Sequence, residues 1–100
     1  MLYAFIAEDH EESLEQRLKS RPEHIQRLKD LQSQGRLLLA GPHPAIDAED
    51  PGPAGFTGSL IIAEFDSLES AKNWANEEPY LKAGVYAQVT VKPFNKALPS

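Results

Sequence analysis

One hundred residues with 41% hydrophobic side chains fit one compact domain with a real core and leave no room for two. Fifteen acidic against ten basic residues give a net charge of -5 and a pI near 5.1, which makes nucleic acid and anionic membrane surfaces poor partners. The absence of cysteine excludes a disulfide framework, a thiolate metal site and a cysteine nucleophile, and the expected compartment is the cytoplasm.

Leu2 to Ala7 is a near-continuous apolar run of strand length, ended by the polar cluster Glu8 to Glu12. It lacks the basic flank and long apolar segment of a signal peptide, and no apolar run approaches membrane-spanning length. Ser13 to Leu18 reads as a short helical turn. Ser20-Arg21-Pro22-Glu23 then has the form of a capping box with proline in the first turn, which starts the main helix near Arg21. Ile25, Leu28 and Leu31 recur at helical spacing, and Gly35 after Gln34 is the expected stop. His24, Leu28 and Leu31 share one face, so His24 is expected to point toward the sheet or its edge.

Leu37 to Ala40 reads as the second strand. Gly41, Pro42, His43 and Pro44 are expected to leave it and form a rigid, exposed turn. They open a stretch to Gly58 with four prolines and no periodicity, a length that in a small domain marks function or disorder. Gly58 to Phe65 reads as the third strand, with Leu60 to Ala63 apolar on both faces. Asp66 with Glu69 is the expected cap of a second helix, Ser67 to Asn76, whose Leu68, Ala71, Trp74 and Ala75 form the buried stripe. Pro79 stops it, and Tyr80 to Gly84 is a connection. Val85 to Phe94 alternates Val85, Ala87, Val89 and Val91 against Tyr86, Gln88, Thr90 and Lys92, a strong strand signal.

The order strand, helix, strand, strand, helix, strand is the split βαβ arrangement of an α+β, ferredoxin-like domain. Two helices cover only one face of such a sheet. Strands one and three are apolar on both faces, so a second copy of the chain is the expected cover and a homodimer the expected assembly.

His24 is the candidate acid or base, since imidazole gains or loses a proton near neutral pH; the alternative is a helix histidine half packed on the sheet. His43, Asp47, Glu49 and Asp50 fall short of a zinc pattern, with one histidine among carboxylates, and no metal is expected. Ser59 has no nucleophile motif around it. Tyr80 and Tyr86 are candidates to stack on or hydrogen-bond to a ring, against the alternative of core-rim tyrosines with one wet end.

Three stretches carry a resemblance: Arg36 to Asp47 (RLLLAGPHPAID), Gly55 to Phe65 (GFTGSLIIAEF), and Pro79 to Tyr86 (PYLKAGVY) followed by Val91 to Phe94 (VKPF). In combination they resemble the YciI-like family, proteins of the YCII-related domain, from Leu2 to Phe94. The resemblance implies a dimeric α+β barrel built on the ferredoxin-like fold, a histidine and aspartate pair in a pocket, and lyase-type chemistry on small phenolic or quinol compounds. The family histidine falls on His24, within Arg21-Pro-Glu-His-Ile-Gln-Arg-Leu28, and Asp9 also fits the pattern. The family aspartate precedes the Pro-Tyr pair, and here that position is Glu78, which keeps the charge and adds a methylene.

The expected function is therefore a small cofactor-free enzyme doing acid-base chemistry on a small organic ligand. His24 moves the proton, Glu78 orients it and Asp9 is a spare carboxylate. Pro42 and His43 wall the pocket, and Ser59, Tyr80 and Tyr86 complete the ligand-binding set. The alternative is a non-catalytic dimeric module that binds a small ligand or another protein. A carboxylate within hydrogen-bond reach of His24, facing a concave pocket, separates the two.

Overall fold

A computed structural model, describing residues 1–100, gives the order β1 (Leu2–Asp9), α1 (Leu14–Ser33), β2 (Leu37–Pro44), β3 (Phe56–Glu64), α2 (Leu68–Asn76), α3 (Pro79–Lys82) and β4 (Tyr86–Phe94), with a 3-10 turn at Gly52–Ala54. The strands form one antiparallel sheet in the order β2-β3-β1-β4, the α+β, ferredoxin-like arrangement expected from the element order. None of the helices is long and apolar enough to cross a membrane.

The period of two along the strands sorts residues between faces. Phe5 lies opposite Ile61 and Tyr3 opposite Ala63, and all four pack with Leu28 and Leu31 of α1 and Ala71 and Ala75 of α2 in the main core. Burying a side chain the size of Phe5, Leu31 or Ile61 contributes about 1.5–3 kcal/mol, so this helix-covered face carries most of the apolar stabilisation. The other face holds the alternate residues Leu2, Ala4 and Ile6 of β1 with Leu60 and Ile62 of β3. No helix covers it, and Ile6 is 38% and Leu39 45% exposed in the single chain.

Four local expectations change. The short helical turn and the main helix are one helix from Leu14, with Pro22 inside it. Proline's missing N–H deprives the carbonyl one turn back, at Leu18, of its partner, and both residues are exposed, so water can satisfy that carbonyl. Gly41 to Pro44 do not leave the sheet: β2 runs through them, paired with β3. That is allowed because β2 is an edge strand, where lost donors are tolerated. The cap of α2 is Ser67 with Ser70, in a reciprocal capping box, and not Asp66 with Glu69. Tyr80 lies in a short helix, α3, that Pro79 opens at its first position, and not in an irregular connection.

A fifth change affects the site. Glu8 pairs with Gln88 but Asp9 pairs with Tyr86, so Ala87 is an extra residue bulged out of β4. The bulge breaks the strict alternation and turns Tyr86 to the helix-covered side, where it packs with Ala7, Tyr80 and Val85.

At Gly58 β3 leaves no room for a side chain against β1, because a Cβ there would lie 2.0 Å from the Ala7 carbonyl oxygen. Gly58→Ala must push two central strands apart, and we expect it to destabilise the fold by about 1–3 kcal/mol or more, read from urea denaturation. An unchanged midpoint would mean that the strands separate without cost at this point.

Candidate active site

The face of α1 that meets the sheet carries Arg17, Arg21, His24, Leu28 and Leu31, spaced by alternating steps of four and three. His24 is therefore in the middle of a long helix and not in its first turn, and it is only 6% exposed. Its ring stacks on Tyr80, with centroids 4.0 Å apart and planes 14° from parallel, and meets the Tyr86 ring edge to face at 6.5 Å.

Glu78 is 2% exposed and is bonded on both oxygens. His24 Nδ1 bonds to Oε1, Arg27 Nη1 donates to Oε2 at 2.8 Å, and the Tyr80 backbone N–H donates to Oε1 at 3.4 Å. The backbone supports this aim: a residue before proline is held extended, and Glu78, at φ -65° and ψ 125°, caps the turn that Pro79 opens. Arg27 is anchored in turn by its second bond, Nη2 to the Trp74 carbonyl at 2.7 Å, and by lying 4.2 Å over the Trp74 ring. A carboxylate only accepts, so the neutral imidazole carries its proton on Nδ1 and leaves the Nε2 lone pair free.

Nε2 makes no hydrogen bond within the protein and is not sealed from solvent, since the only buried unpaired side-chain polar atom is Tyr86 Oη. His24 lines a cavity of about 170 Å³ between α1, β2 and β3. Arg17, Arg21, Pro42, Ser59 and Tyr80 line it too, while no carboxylate does. The arrangement can hold a small molecule against an imidazole whose orientation and tautomer are fixed from behind.

Asp9 lies apart from this pair. Arg17 Nε donates to Asp9 Oδ2 at 2.9 Å, in an ion pair with both side chains almost fully buried. Arg17 Nη2 donates to the Gly58 carbonyl at 3.0 Å and to Ser59 Oγ at 2.8 Å. Asp9 thus positions an arginine and makes no bond to His24. Of the other candidates, Pro42, Ser59 and Tyr80 share the cavity of His24. His43 follows Pro42 on an exposed strand, is opposite Gly58 and lies outside the lining. Tyr86 faces a separate void of only about 10 Å³ beside Glu78.

Arg17 and Arg27 escaped the sequence reading. Both lay in plain view at helical spacing from His24, seven residues before and three after it. Beginning the helix near Arg21 removed Arg17 from the face, and an arginine three residues from a histidine reads as a solvated residue until a buried acid is placed beside it.

The YCII-related domain matches residues 1–95. The chain belongs to that family. It is 59% identical over 96 residues to the protein named YciI of Escherichia coli O6:H1, covering 96% of this chain and 98% of that one. An uncharacterised protein of Haemophilus influenzae is 56% identical over the same lengths. Among solved structures, 5-chloro-2-hydroxyhydroquinone dehydrochlorinase (TftG) of Burkholderia phenoliruptrix AC1100, in complex with 2,5-dihydroxybenzoquinone, superposes with a TM-score of 0.83 at 24% identity, over 95% of this chain and 94% of that one. At that identity the likeness establishes the shared fold.

Tyr86 offers a stability test. Its hydroxyl is buried with no well-formed hydrogen bond, and burial pushes its pKa well above the usual tyrosine value, a rise that a weak contact with the Ser59 hydroxyl partly offsets. The folded state therefore holds this proton more tightly than the unfolded chain. The resulting stability is fully present below the unfolded pKa, about 10, and is lost as pH rises from there toward the folded value. We expect Tyr86→Phe to unfold at higher urea by about 1 kcal/mol at neutral pH, because it removes an unpaired buried group. It should also lose less stability than the wild type above pH of about 10. Parallel urea midpoints for the two proteins across that range would argue against an unpaired, proton-retaining hydroxyl.

Proposed function

We propose that the protein is a small cytoplasmic enzyme, active as a homodimer and independent of cofactors, that uses His24 for lyase-like acid-base chemistry on a small phenolic or quinol ligand. One observation carries this reading: a histidine tied through Nδ1 to a buried carboxylate, with Nε2 unbonded, on the wall of a cavity of about 170 Å³. The chemistry requires little else. Nε2 takes a proton from a saturated carbon beside a carbonyl in the ene-dione tautomer of the quinol, and the electron pair of that C–H bond forms the new double bond. A leaving group departs from the adjacent carbon with its own bonding pair. The imidazolium is stabilised by Glu78 until it returns the proton to the leaving group or to water.

The fold relative named as a dehydrochlorinase, bound to a dihydroxybenzoquinone, supports a ring of this kind as the ligand class. Family membership supports the homodimer, as does the uncovered sheet face bearing Leu2, Ile6, Leu39 and Leu60. Light scattering should give twice the chain mass at micromolar concentration, and a stable monomer there contradicts the assembly.

Turnover of a panel of phenols and quinols tests the chemistry. His24→Gln, which keeps a polar group of similar length, is expected to lower kcat by about 100-fold or more, with the cavity still able to bind ligand. Glu78→Gln should lower kcat as well. It should also cost stability, by about 3 kcal/mol, because Arg27 loses its buried partner. Binding across the panel with no turnover of any member would favour the non-catalytic module instead.

A further inference from the structure

We propose that the cavity beside His24 selects a single-ring organic oxyanion, its charged oxygen docking on Arg17 Nη1 and Arg21. The inference rests on the reading of this cavity as a ligand site and adds the charge and size of the ligand.

The donor count on Arg17 carries it. A guanidinium has five N–H donors in a fixed fork. The one on Nε goes to Asp9, and the two on Nη2 go to Gly58 and Ser59, with a longer contact to Asp9 Oδ1 at 3.4 Å. The two on Nη1 face no carboxylate or carbonyl; the one polar protein group Arg17 meets besides these is the Tyr80 hydroxyl, itself on the cavity wall and close enough for Arg17 to oppose the rise in its pKa. The Arg17 side chain is only 7% exposed, yet Nη1 is not a sealed atom, and Arg17 lines the cavity. The free donors therefore meet solvent where the cavity is. The group is also immobile, because its carbon lies 4.8 Å from the Tyr80 ring centre and 5.1 Å from that of Phe56. A donor pair held in place loses little entropy when a ligand arrives.

Charge points the same way. Asp9 neutralises Arg17, and Glu78 with Arg27 forms a second neutral pair behind His24. Arg21, one turn along α1 from Arg17, enters none of the protein's ion pairs and also lines the cavity. Its charge reaches the site, where it and Arg17 oppose the burial-driven rise in the pKa of Tyr80. No lining carboxylate opposes an anion, although the chain as a whole carries -5. At physiological salt that distant charge is screened beyond about 8 Å, so the local field decides. Size follows from volume: a cavity of about 150 Å³ holds one benzene ring, and this one measures about 170 Å³.

Both a carboxylate and an ionised ring hydroxyl present this oxyanion, and calorimetric titration of the intact protein distinguishes them. One arm compares benzoate with benzamide, the other 4-nitrophenolate with 4-nitroanisole. In at least one arm the anion should bind about tenfold more tightly than its neutral partner, and the arm with the larger ratio names the source. Arg21→Gln, an exposed position that should fold normally, is expected to remove most of that ratio. Arg17→Met should do the same wherever it remains folded. His24→Gln should lower turnover as above and leave the ratio intact, so failure of the acid-base reading is visible separately. Equal affinities within both pairs, a ratio unchanged in Arg21→Gln, or no binding of either anion at millimolar concentration would each overturn the proposal.

Discussion

The buried carboxylate of Glu78 is the group on which the arrangement of the site depends. An acid this deeply enclosed is tolerated only when its charge is matched and its oxygens are bonded, and here one residue of α3, two of α1 and the end of α2 meet that demand together. Arg27 spans the gap, one nitrogen on the acid and the other on a carbonyl in the last turn of α2, where a helix end favours a cation. The imidazole is thus fixed in place by the same bonds that lock three helices together. The orientation of the imidazole and tertiary stability share their contacts.

A second buried pair, Arg17 with Asp9, does for the sheet what Glu78 does for the helices. It bolts the start of α1 to the end of β1 and to the start of β3. Tyr80 lies between the two networks, stacked on His24 and close under the guanidinium of Arg17. Both acids, Asp9 and Glu78, lie behind the residues that line the cavity, while Arg17 and His24 face it. The protein can therefore be acidic in total and still present a basic recess.

What was legible in the sequence was what local pattern determines. The apolar periodicities of Leu2 to Ala7, Leu60 to Ala63 and Val85 to Phe94 specified strands, and their order with two helices specified the topology. Glu78 was found as a departure from a family pattern, and the structure brings it onto His24 because Pro79 sets the backbone of the residue before it. The failures share a cause. Pro22 was read as the first turn of a helix and the Gly41 to Pro44 run as a break, since proline removes a donor, but a donor matters only where something needs it. On the solvent side of α1 and along the edge of the sheet nothing does. The alternation set Tyr86 against Val85 and Val89, and the bulge that puts it with them leaves no mark in a hydrophobic pattern. Arg17 and Arg27 are recognisable only once the acids that face them, 8 and 51 residues away in the chain, are known.

The prolines of β2 bear on how the protein avoids unwanted company. An edge strand normally offers a row of unpaired amides onto which a foreign strand can zip, the first step toward fibrils and mixed aggregates. With Pro42 and Pro44 at alternate positions, that row is interrupted at its exposed end, next to the cavity mouth. The rim of the recess can then be stiff, apolar and open to solvent without inviting sheet extension. Any self-association is steered away from the edge and toward the broad face, where contact between copies can end after one partner has bound.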